Sequence, residues 1–140
     1  ESGARDWAQV VAINEPAETK TIAHLTRYDS THGRFPGTVE LDQHTLTVNG
    51  DAIQIVNHKD LRQLPWREQD IDVVLECSGS FSDRETAQQH ITNGAKRVLF
   101  SQPAEASVDA TIVYGVNHQI LDGLETIISN ASCSTNCVVQ

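Results

Sequence analysis

The segment best suited to chemistry lies near the end of the sequence, where small polar residues follow an apolar run. Residues 126–128 are Thr-Ile-Ile, which is typical of a strand, and residues 129–137 are Ser-Asn-Ala-Ser-Cys-Ser-Thr-Asn-Cys. If a helix opens in this run, Cys133 lies in its first turn, where unpaired backbone amides and the helix dipole stabilise a thiolate. Such a thiolate is a nucleophile. The same spacing also fits a small buried cysteine in a Ser/Thr-rich turn.

Cys133 and Cys137 are four residues apart, so a metal pair and a redox couple are both conceivable. No further Cys or His follows at the spacing of a zinc site, so we predict no metal centre. A thiol redox sensor built on the two cysteines remains an alternative to a catalytic nucleophile. Cys77, at the end of a predicted strand, is expected to be buried and inert.

Glu15 is a second candidate, because it follows the apolar residues 7–13, which are predicted to form a buried strand. An acidic residue at the carboxyl end of the second strand of a dinucleotide fold accepts hydrogen bonds from the adenosine ribose and repels a 2′-phosphate. This position favours NAD over NADP. The alternative is a solvated carboxylate before Pro16.

The histidines offer no candidate for a general base near Cys133 in the sequence. All are expected to be polar surface residues, and they are His24, His32, His44, His58, His90 and His118.

The elements that must position these residues alternate between strands and helices. A helix is predicted over residues 17–28 from its apolar spacing, and Asn49-Gly50 predicts a hairpin between two short strands. Ser82 and Glu85 have the spacing of a capping box, and Gly94 is placed to end the helix that follows. Further strands are predicted at residues 38–41, 45–48, 52–56, 73–75, 97–100, 111–113 and 126–128.

This alternation predicts an α/β fold with a doubly wound, Rossmann-type and largely parallel sheet, into which a small antiparallel meander is inserted. The chain has 140 residues, which is the size of one domain. Its formal charge of −9 disfavours nucleic acid and anionic membranes as partners. Three cysteines, an odd number, indicate a reducing compartment, and the cytoplasm is expected.

Six segments resemble the glyceraldehyde-3-phosphate dehydrogenase family, in the same order along the chain. Ala-Ser-Cys-Ser-Thr-Asn-Cys at residues 131–137 is similar to the active-site signature Ser-Cys-Thr-Thr-Asn-Cys, with Ser134 in place of the usual threonine. The others are Val-Ala-Ile-Asn at 11–14, Tyr-Asp-Ser-Thr-His-Gly-Arg-Phe at 28–35, Leu-Pro-Trp at 64–66, Glu-Cys-Ser-Gly at 76–79 and Tyr-Gly-Val-Asn at 114–117.

The resemblance implies that the chain is part of a longer enzyme. The sequence contains no methionine, and family members begin with a strand and a Gly-rich phosphate loop that would precede Glu1. We therefore expect an incomplete NAD-binding domain over residues 1–131, with residues 132–140 opening the catalytic domain. The catalytic base of the family is a histidine expected beyond this chain, so the chain alone is expected to be inactive.

The resemblance also implies roles for individual residues. Cys133 is the expected nucleophile, and Ser132 and Ser134 beside it are expected to contact substrate together with it. The positions expected to bind NAD are Asn14, Glu15, Lys59, Ser78, Gly79 and Ser101. Lys59 stands where the family commonly has an arginine, so the charge is kept but the planar stacking group is not.

Finer features are similar to the erythrose-4-phosphate dehydrogenase branch of the family, namely Glu15 after Val-Ala-Ile-Asn, Leu-Pro-Trp-Arg-Glu at 64–68 and Asp-Val-Val-Leu-Glu-Cys-Ser-Gly at 72–79. That branch implies NAD-dependent oxidation of D-erythrose 4-phosphate to 4-phosphoerythronate through a cysteine thioester, for pyridoxine biosynthesis, in a homotetramer. The alternatives are a phosphorylating glyceraldehyde-3-phosphate dehydrogenase and a non-catalytic nucleotide-binding or interaction module.

Overall fold

The computed structural model describes residues 7–139, and the chain divides into two compact units, Glu1–Asp60 and Leu61–Gln140. The helices are α1 (Thr19–Arg27), α2 (Arg84–Thr92) and α3 (Cys133–Val139), and short 3-10 helices lie at Leu61–Gln63 and His118–Ile120. The strands are β1 (Ala12–Asn14), β2 (Tyr28–Asp29), β3 (Gly33–Arg34), β4 (Val39–Asp42), β5 (Thr45–Val48), β6 (Asp51–Val56), β7 (Val73–Glu76), β8 (Arg97–Phe100), β9 (Ala110–Thr111) and β10 (Ile127–Ser129).

The first unit contains a four-stranded sheet in the order β1-β6-β5-β4, in which β1 and β6 are parallel and the other pairs are antiparallel. Helix α1 buries Ile22 and Ala23 in one apolar cluster with Leu46, Ile53 and Ile55 of this sheet. A short antiparallel ribbon, β2-β3, belongs to the same unit. The predicted antiparallel insertion is therefore present in β4, β5 and β6.

The hairpin between β5 and β6 turns at the predicted dipeptide. Val48 pairs with Asp51, so the loop is Asn49-Gly50, with φ of +51° and +90°. A two-residue type I′ turn needs both residues in this left-handed region, which asparagine and glycine tolerate better than other residues. The Asn49 carboxamide also accepts the Thr38 N–H at 2.9 Å and so ties the turn to the start of β4.

The predicted buried strand over residues 7–13 is wrong in extent and in burial. The strand is confined to Ala12–Asn14, while Trp7 and Val10 are 81% and 57% exposed. The apolar, β-branched composition of this segment is typical of a strand, but a strand also needs a hydrogen-bonding neighbour. Within the described part of the chain, β6 pairs with β1 only from Ala12 onward.

The second unit contains a parallel four-stranded sheet in the order β7-β8-β10-β9. One face of this sheet is buried, because Val98, Phe100 and Ile127 are completely inaccessible and α2 packs against β8 and β10. With β1 and β6, these parallel ladders confirm the predicted largely parallel, Rossmann-type α/β architecture. No helix among residues 7–139 combines the length and the apolar character needed to cross a membrane.

Helix α2 begins one residue later than the predicted capping box requires. Asp83, not Ser82, is the N-cap, because its Oδ1 accepts the Thr86 N–H at 2.7 Å and its Oδ2 accepts the Thr86 hydroxyl at 2.8 Å. A carboxylate is a stronger acceptor than a hydroxyl and is favoured by the positive end of the helix dipole. The predicted end of the helix at Gly94 is confirmed by its φ of +113° and its N–H bond to Ile91.

Asp109 joins the start of β10 to α2. Its Oδ1 accepts from Arg84 at 2.7 Å, and its Oδ2 accepts the backbone N–H groups of Thr126 and Ile127 at 2.8 and 3.0 Å. The Thr126 hydroxyl makes a further bond of 3.0 Å to the same oxygen. One carboxylate therefore satisfies two backbone donors that enter the sheet and one guanidinium from the helix.

We predict that Asp109→Asn destabilises the protein at neutral pH. The bond from Arg84 is the main cause that holds the pKa of Asp109 below its usual range, with the amides of Thr126 and Ile127 adding to it against the opposing effect of burial. A lowered folded-state pKa gives stability that is present above the ordinary aspartate pKa of about 3.9 and is lost as pH falls below it. We expect a loss of about 1–2 kcal/mol in the free energy of unfolding at pH 7.

Urea unfolding at neutral and acidic pH measures this loss. The difference between the unmodified protein and the Asp109→Asn variant should shrink as pH is lowered below about 4, because protonation of Asp109 in the unfolded chain then progressively removes the stability that the folded carboxylate provides. Asp122→Asn is the matched control, since Asp122 lies in an exposed turn and accepts the Leu124 N–H. A difference at Asp109 that does not change with pH would contradict the role of its charge.

Candidate functional site

The carboxyl ends of three strands of the second unit lie level with one another. Glu76 pairs with Phe100, and Phe100 pairs with Ser129, so β7, β8 and β10 all end at the same edge of the sheet. The segments that follow them carry Ser78 and Gly79, Ser101, and the loop into α3 with Ser132, Cys133 and Ser134. Ligands bind outside the carboxyl ends of strands in open parallel sheets. The structure thus brings the predicted residues of this unit to one edge.

Ser129 fixes the start of the loop between β10 and α3. Its side chain is completely buried, and its hydroxyl donates to the Gln102 carbonyl at 2.8 Å and accepts the Ala131 N–H at 3.1 Å. Ala131 has a φ of +54°, in the left-handed region that costs a non-glycine residue about 1 kcal/mol or more. The buried hydroxyl therefore holds the chain in a sharp reversal two residues before the cysteine.

Ser132 is the cap of α3. Its Oγ accepts the Thr135 N–H at 3.0 Å and its carbonyl accepts the Asn136 N–H at 3.0 Å. The Asn136 carboxamide donates to the carbonyls of both Asn130 and Ser132 at 2.9 Å. The predicted helix start at Cys133 is confirmed, because these bonds define Cys133 as the first helical residue.

Cys133 is exposed, which argues against its interpretation as a small buried residue. Ser134 is exposed beside it, whereas the hydroxyl of Ser132 is occupied by the cap and lies 3.1 Å from Ser134 Oγ. Cys77 and Cys137 are also exposed. The prediction that Cys77 is buried is wrong, because β7 buries alternate residues and its buried face ends at Glu76.

The turn after β7 is held by the strand that precedes it. Glu76 Oε1 accepts the Ser78 N–H at 2.8 Å, and Ser78 Oγ accepts the Ser80 N–H at 3.1 Å. Gly79 has a φ of +70°, and apart from Gly79 and its two chain neighbours no described residue has a heavy atom within 4 Å of the place that a Cβ would take. A ligand can therefore approach the backbone closely at Gly79.

The Ser101 segment continues the same edge of the sheet. The Ser101 N–H donates to the Glu76 carbonyl at 3.0 Å, and its hydroxyl donates to Gln102 Oε1 at 2.8 Å. Gln102 Nε2 donates in turn to the Phe81 carbonyl at 2.6 Å. The exposed Ser101 hydroxyl is thereby linked to the segment that follows the Ser78–Gly79 turn.

The first unit places Asn14, Glu15 and Lys59 after the parallel strands β1 and β6. Both polar atoms of the Asn14 carboxamide bond to the backbone of His58 at 3.0 Å, so its side chain joins the two strand ends. Glu15 is exposed, and its Oε1 accepts the Ala17 N–H at 3.1 Å. Lys59 is exposed one residue after His58. Glu15 thus presents a carboxylate at a strand end, as the sequence predicts.

One buried polar cluster was not predicted. His90, expected at the surface, is 2% exposed, its Nδ1 accepts the Trp66 indole N–H at 3.0 Å, and its Nε2 lies 3.5 Å from Glu76 Oε2. Two features of the sequence indicate this cluster. A charged residue, Glu76, ends the apolar run Val-Val-Leu-Glu, and His90 lies three residues after Ala87, which is buried in the same helix. That spacing puts His90 on the inner face of α2.

No group of three or more His, Cys, Asp or Glu side chains within residues 7–139 is arranged to hold a metal ion.

Comparison with known proteins shows which family this chain is similar to. Residues 3–84 match the family described as glyceraldehyde 3-phosphate dehydrogenase, NAD binding domain. The chromosomal and the plasmid-encoded glyceraldehyde-3-phosphate dehydrogenases of Cupriavidus necator are each 50% identical to this chain over 138 residues. The alignments cover 99% of this chain and 41% of each relative.

The chain belongs to the glyceraldehyde-3-phosphate dehydrogenase family, and the part of the family that it matches is the NAD-binding domain. NAD is accordingly its cofactor. The residues of the second unit fit such a ligand, because polar groups lie after the carboxyl ends of its parallel strands and because the backbone at Gly79 is open to close approach.

We predict that iodoacetamide alkylates Cys133 faster than Cys77 or Cys137 at neutral pH. All three side chains are exposed, so access does not distinguish them. Cys133 alone among them lies at the first position of a helix, where first-turn backbone N–H groups without an intrahelical acceptor can hydrogen-bond to the attacking sulfur. Mass spectrometry of peptides from the complete protein after timed alkylation gives the three rates. Faster modification of either other cysteine would refute Cys133 as the activated thiol.

Proposed function

We propose that the complete protein is an NAD-dependent aldehyde dehydrogenase that acts on a sugar phosphate through Cys133. The observation that carries this proposal is the exposed thiol at the first residue of α3, at the sheet edge that also carries Ser78, Gly79 and Ser101. A nucleophile and the cofactor-facing segments then share one edge, as attack on an aldehyde followed by oxidation requires.

The chemistry assigned to Cys133 begins with attack of its thiolate on the aldehyde carbon. The C–S bond forms as the carbonyl π electrons move to oxygen, and this oxyanion is stabilised by amides at the start of α3. Bound NAD supplies the acceptor for the hydride that leaves the same carbon, and the resulting group on Cys133 is a thioester. Attack by water then gives the carboxylic acid and returns the thiol. The base is assigned to a histidine outside this chain, by family resemblance.

The binding roles follow the positions of the side chains. Glu15 is proposed to accept the adenosine ribose hydroxyls, with Lys59 near the adenine and Asn14 holding the strand ends together. Ser78, Gly79 and Ser101 are proposed to face the cofactor from the second unit. Ser132, Cys133 and Ser134 are proposed to contact the substrate, with Ser134 offering the exposed hydroxyl and Ser132 acting mainly through the cap.

The substrate we propose is D-erythrose 4-phosphate, oxidised to 4-phosphoerythronate for pyridoxine biosynthesis. The support is Glu15 after Val-Ala-Ile-Asn, together with Leu-Pro-Trp-Arg-Glu at residues 64–68 and the segment 72–79, which are similar to that branch of the family. Glyceraldehyde 3-phosphate, with inorganic phosphate instead of water as the acyl acceptor, is the second candidate. The names of the two relatives from Cupriavidus necator favour it.

The organisation we propose for the complete enzyme extends beyond this chain. Residues 1–131 would belong to the NAD-binding domain and residues 132–140 would begin the catalytic domain. A homotetramer is part of the proposal by family resemblance, and the cytoplasm is the proposed location because the chain has an odd number of cysteines. A non-catalytic nucleotide-binding protein would share these residues, and it would bind NAD without turning over either sugar phosphate.

We predict that Glu15→Ala weakens the preference for NAD over NADP by about tenfold or more, because the variant loses both a ribose acceptor and the repulsion of a 2′-phosphate. The ratio of kcat/KM for the two cofactors in the complete enzyme measures this preference. Glu18→Ala is the matched control, since Glu18 is an exposed carboxylate three residues further on, before α1. Equal use of both cofactors by the unmodified enzyme would disprove the role of Glu15.

We predict repeated turnover of erythrose 4-phosphate without added phosphate or arsenate, because water resolves the thioester in the proposed reaction. NADH formation by the complete enzyme is followed with each sugar phosphate, with and without inorganic phosphate. Cys133→Ser should abolish turnover and leave NAD binding nearly unchanged. A single burst equal to the enzyme concentration, relieved by phosphate and larger with glyceraldehyde 3-phosphate, would favour the second candidate. NAD binding with no turnover of either substrate would indicate the non-catalytic protein.

A further inference from the structure

The buried cluster of Glu76, His90 and Trp66 connects the interior of the second unit to its candidate cofactor edge. The three residues are 6%, 2% and 5% exposed, so water does not replace the contacts they make with one another. They come from three different segments: the end of β7, the inner face of α2 and the turn that precedes β7. A polar cluster assembled from separate segments at this depth constrains all of them together.

The hydrogen bond from Trp66 determines where the proton of His90 lies. An indole N–H can only donate, so the Nδ1 that receives it at 3.0 Å carries no proton. The proton of the neutral ring is therefore on Nε2, which faces Glu76 Oε2 at 3.5 Å. This distance is longer than a normal hydrogen bond, and Nε2 is buried with no hydrogen-bond partner among the described atoms.

Glu76 contacts both His90 and the turn that follows β7. While Oε2 faces His90, Oε1 accepts the Ser78 N–H at 2.8 Å. Burial opposes ionisation of Glu76, but the interactions with His90 and Ser78 outweigh it and hold the pKa of this carboxyl below its usual range. The carboxylate is thus an ionised acceptor whose rotation is limited on one side by His90 and on the other by the Ser78 amide.

We propose that His90 and Trp66 are positioning residues for the cofactor. They orient the Glu76 carboxylate, and Glu76 in turn holds the Ser78–Gly79 turn in the conformation that binds NAD. The proposal rests on the proposed function only in assigning that turn to the cofactor. None of the three side chains needs to touch NAD. Their effect reaches it through the Ser78 amide and the open backbone of Gly79.

Two substitutions of His90 separate this role from simple packing. In His90→Gln, the side-chain amide nitrogen takes the place of Nε2 and keeps an N–H group that faces Glu76, while the acceptor for Trp66 is lost. In His90→Asn, the side-chain oxygen takes the place of Nδ1 and still accepts from Trp66, while the group that faces Glu76 is lost. If orientation of Glu76 is what matters, only the asparagine variant should alter the turn.

The test measures NAD affinity and backbone hydrogen exchange in the complete protein. For His90→Asn we expect the Kd for NAD to rise about tenfold, with faster exchange in the peptide that contains Ser78 and Gly79. Glu76→Gln should do the same, whereas His90→Gln should stay within about twofold of the parent in both measurements. With saturating NAD, kcat should stay within about twofold for all three.

Asp83→Ala is the control for a general loosening of α2, because it removes the N-cap of the same helix and does not contact Glu76. It should leave the Kd and the exchange of the Ser78 peptide unchanged. Equal effects of His90→Gln and His90→Asn, or an unchanged Kd and exchange in His90→Asn, would overturn the proposal. If one His90 variant does not fold, Glu76→Gln with Asp83→Ala provides the same comparison.

Failure of the proposed function gives a different result from failure of this inference. An enzyme in which Cys133→Ser remains active would refute the assigned nucleophile and leave the Kd and exchange measurements intact. Faster exchange at Ser78 in His90→Asn, without any change in Kd, would overturn the assignment of this turn to the cofactor and therefore the inference.

Discussion

The parallel pairing of β7, β8 and β10 is the constraint on which the candidate site depends. Its register sets Glu76, Phe100 and Ser129 side by side, so three segments leave the sheet at one edge. A shift of one residue in any strand would exchange its buried and exposed faces, which the fully inaccessible Val98 does not allow. Apolar burial therefore fixes the register, and the register brings the loop that carries Cys133 to the same edge as the segments proposed to bind NAD.

Strands β7 and β10 end in the same way. The last residue of each has a buried polar side chain that accepts a backbone N–H from the loop that follows. Glu76 accepts the N–H of Ser78, and Ser129 accepts the N–H of Ala131, in each case two residues ahead. A buried acceptor left without its partner would cost roughly 1–3 kcal/mol, so each loop is held close to one conformation. The left-handed backbone of Ala131 is sustained in this way, and Cys133 follows it at a defined position.

Local sequence was sufficient for the features that neighbouring residues determine. Asn49-Gly50 predicts the hairpin because its backbone conformation suits few other residues, and Gly94 predicts the end of α2 for the same reason. Cys133 could be placed at a helix start because small polar residues follow a strand and supply the cap. These patterns span a few residues, and the segment around Cys133 is also one of the six that carry the resemblance to the family.

Burial and partner choice were decided only by tertiary structure. Helical spacing indicates the inner face of α2 for His90, but sequence could not show which groups it meets there, because its partners Trp66 and Glu76 are 24 and 14 residues away in the chain. It could not show that β1 begins only at Ala12, or that Cys77 is exposed where the buried face of β7 ends at Glu76. Composition and spacing by themselves predicted most of the strands and helices and placed Cys133 at a helix start. Which polar groups contact one another depends on the register of strands distant in sequence, because only that register decides which side chains are buried together.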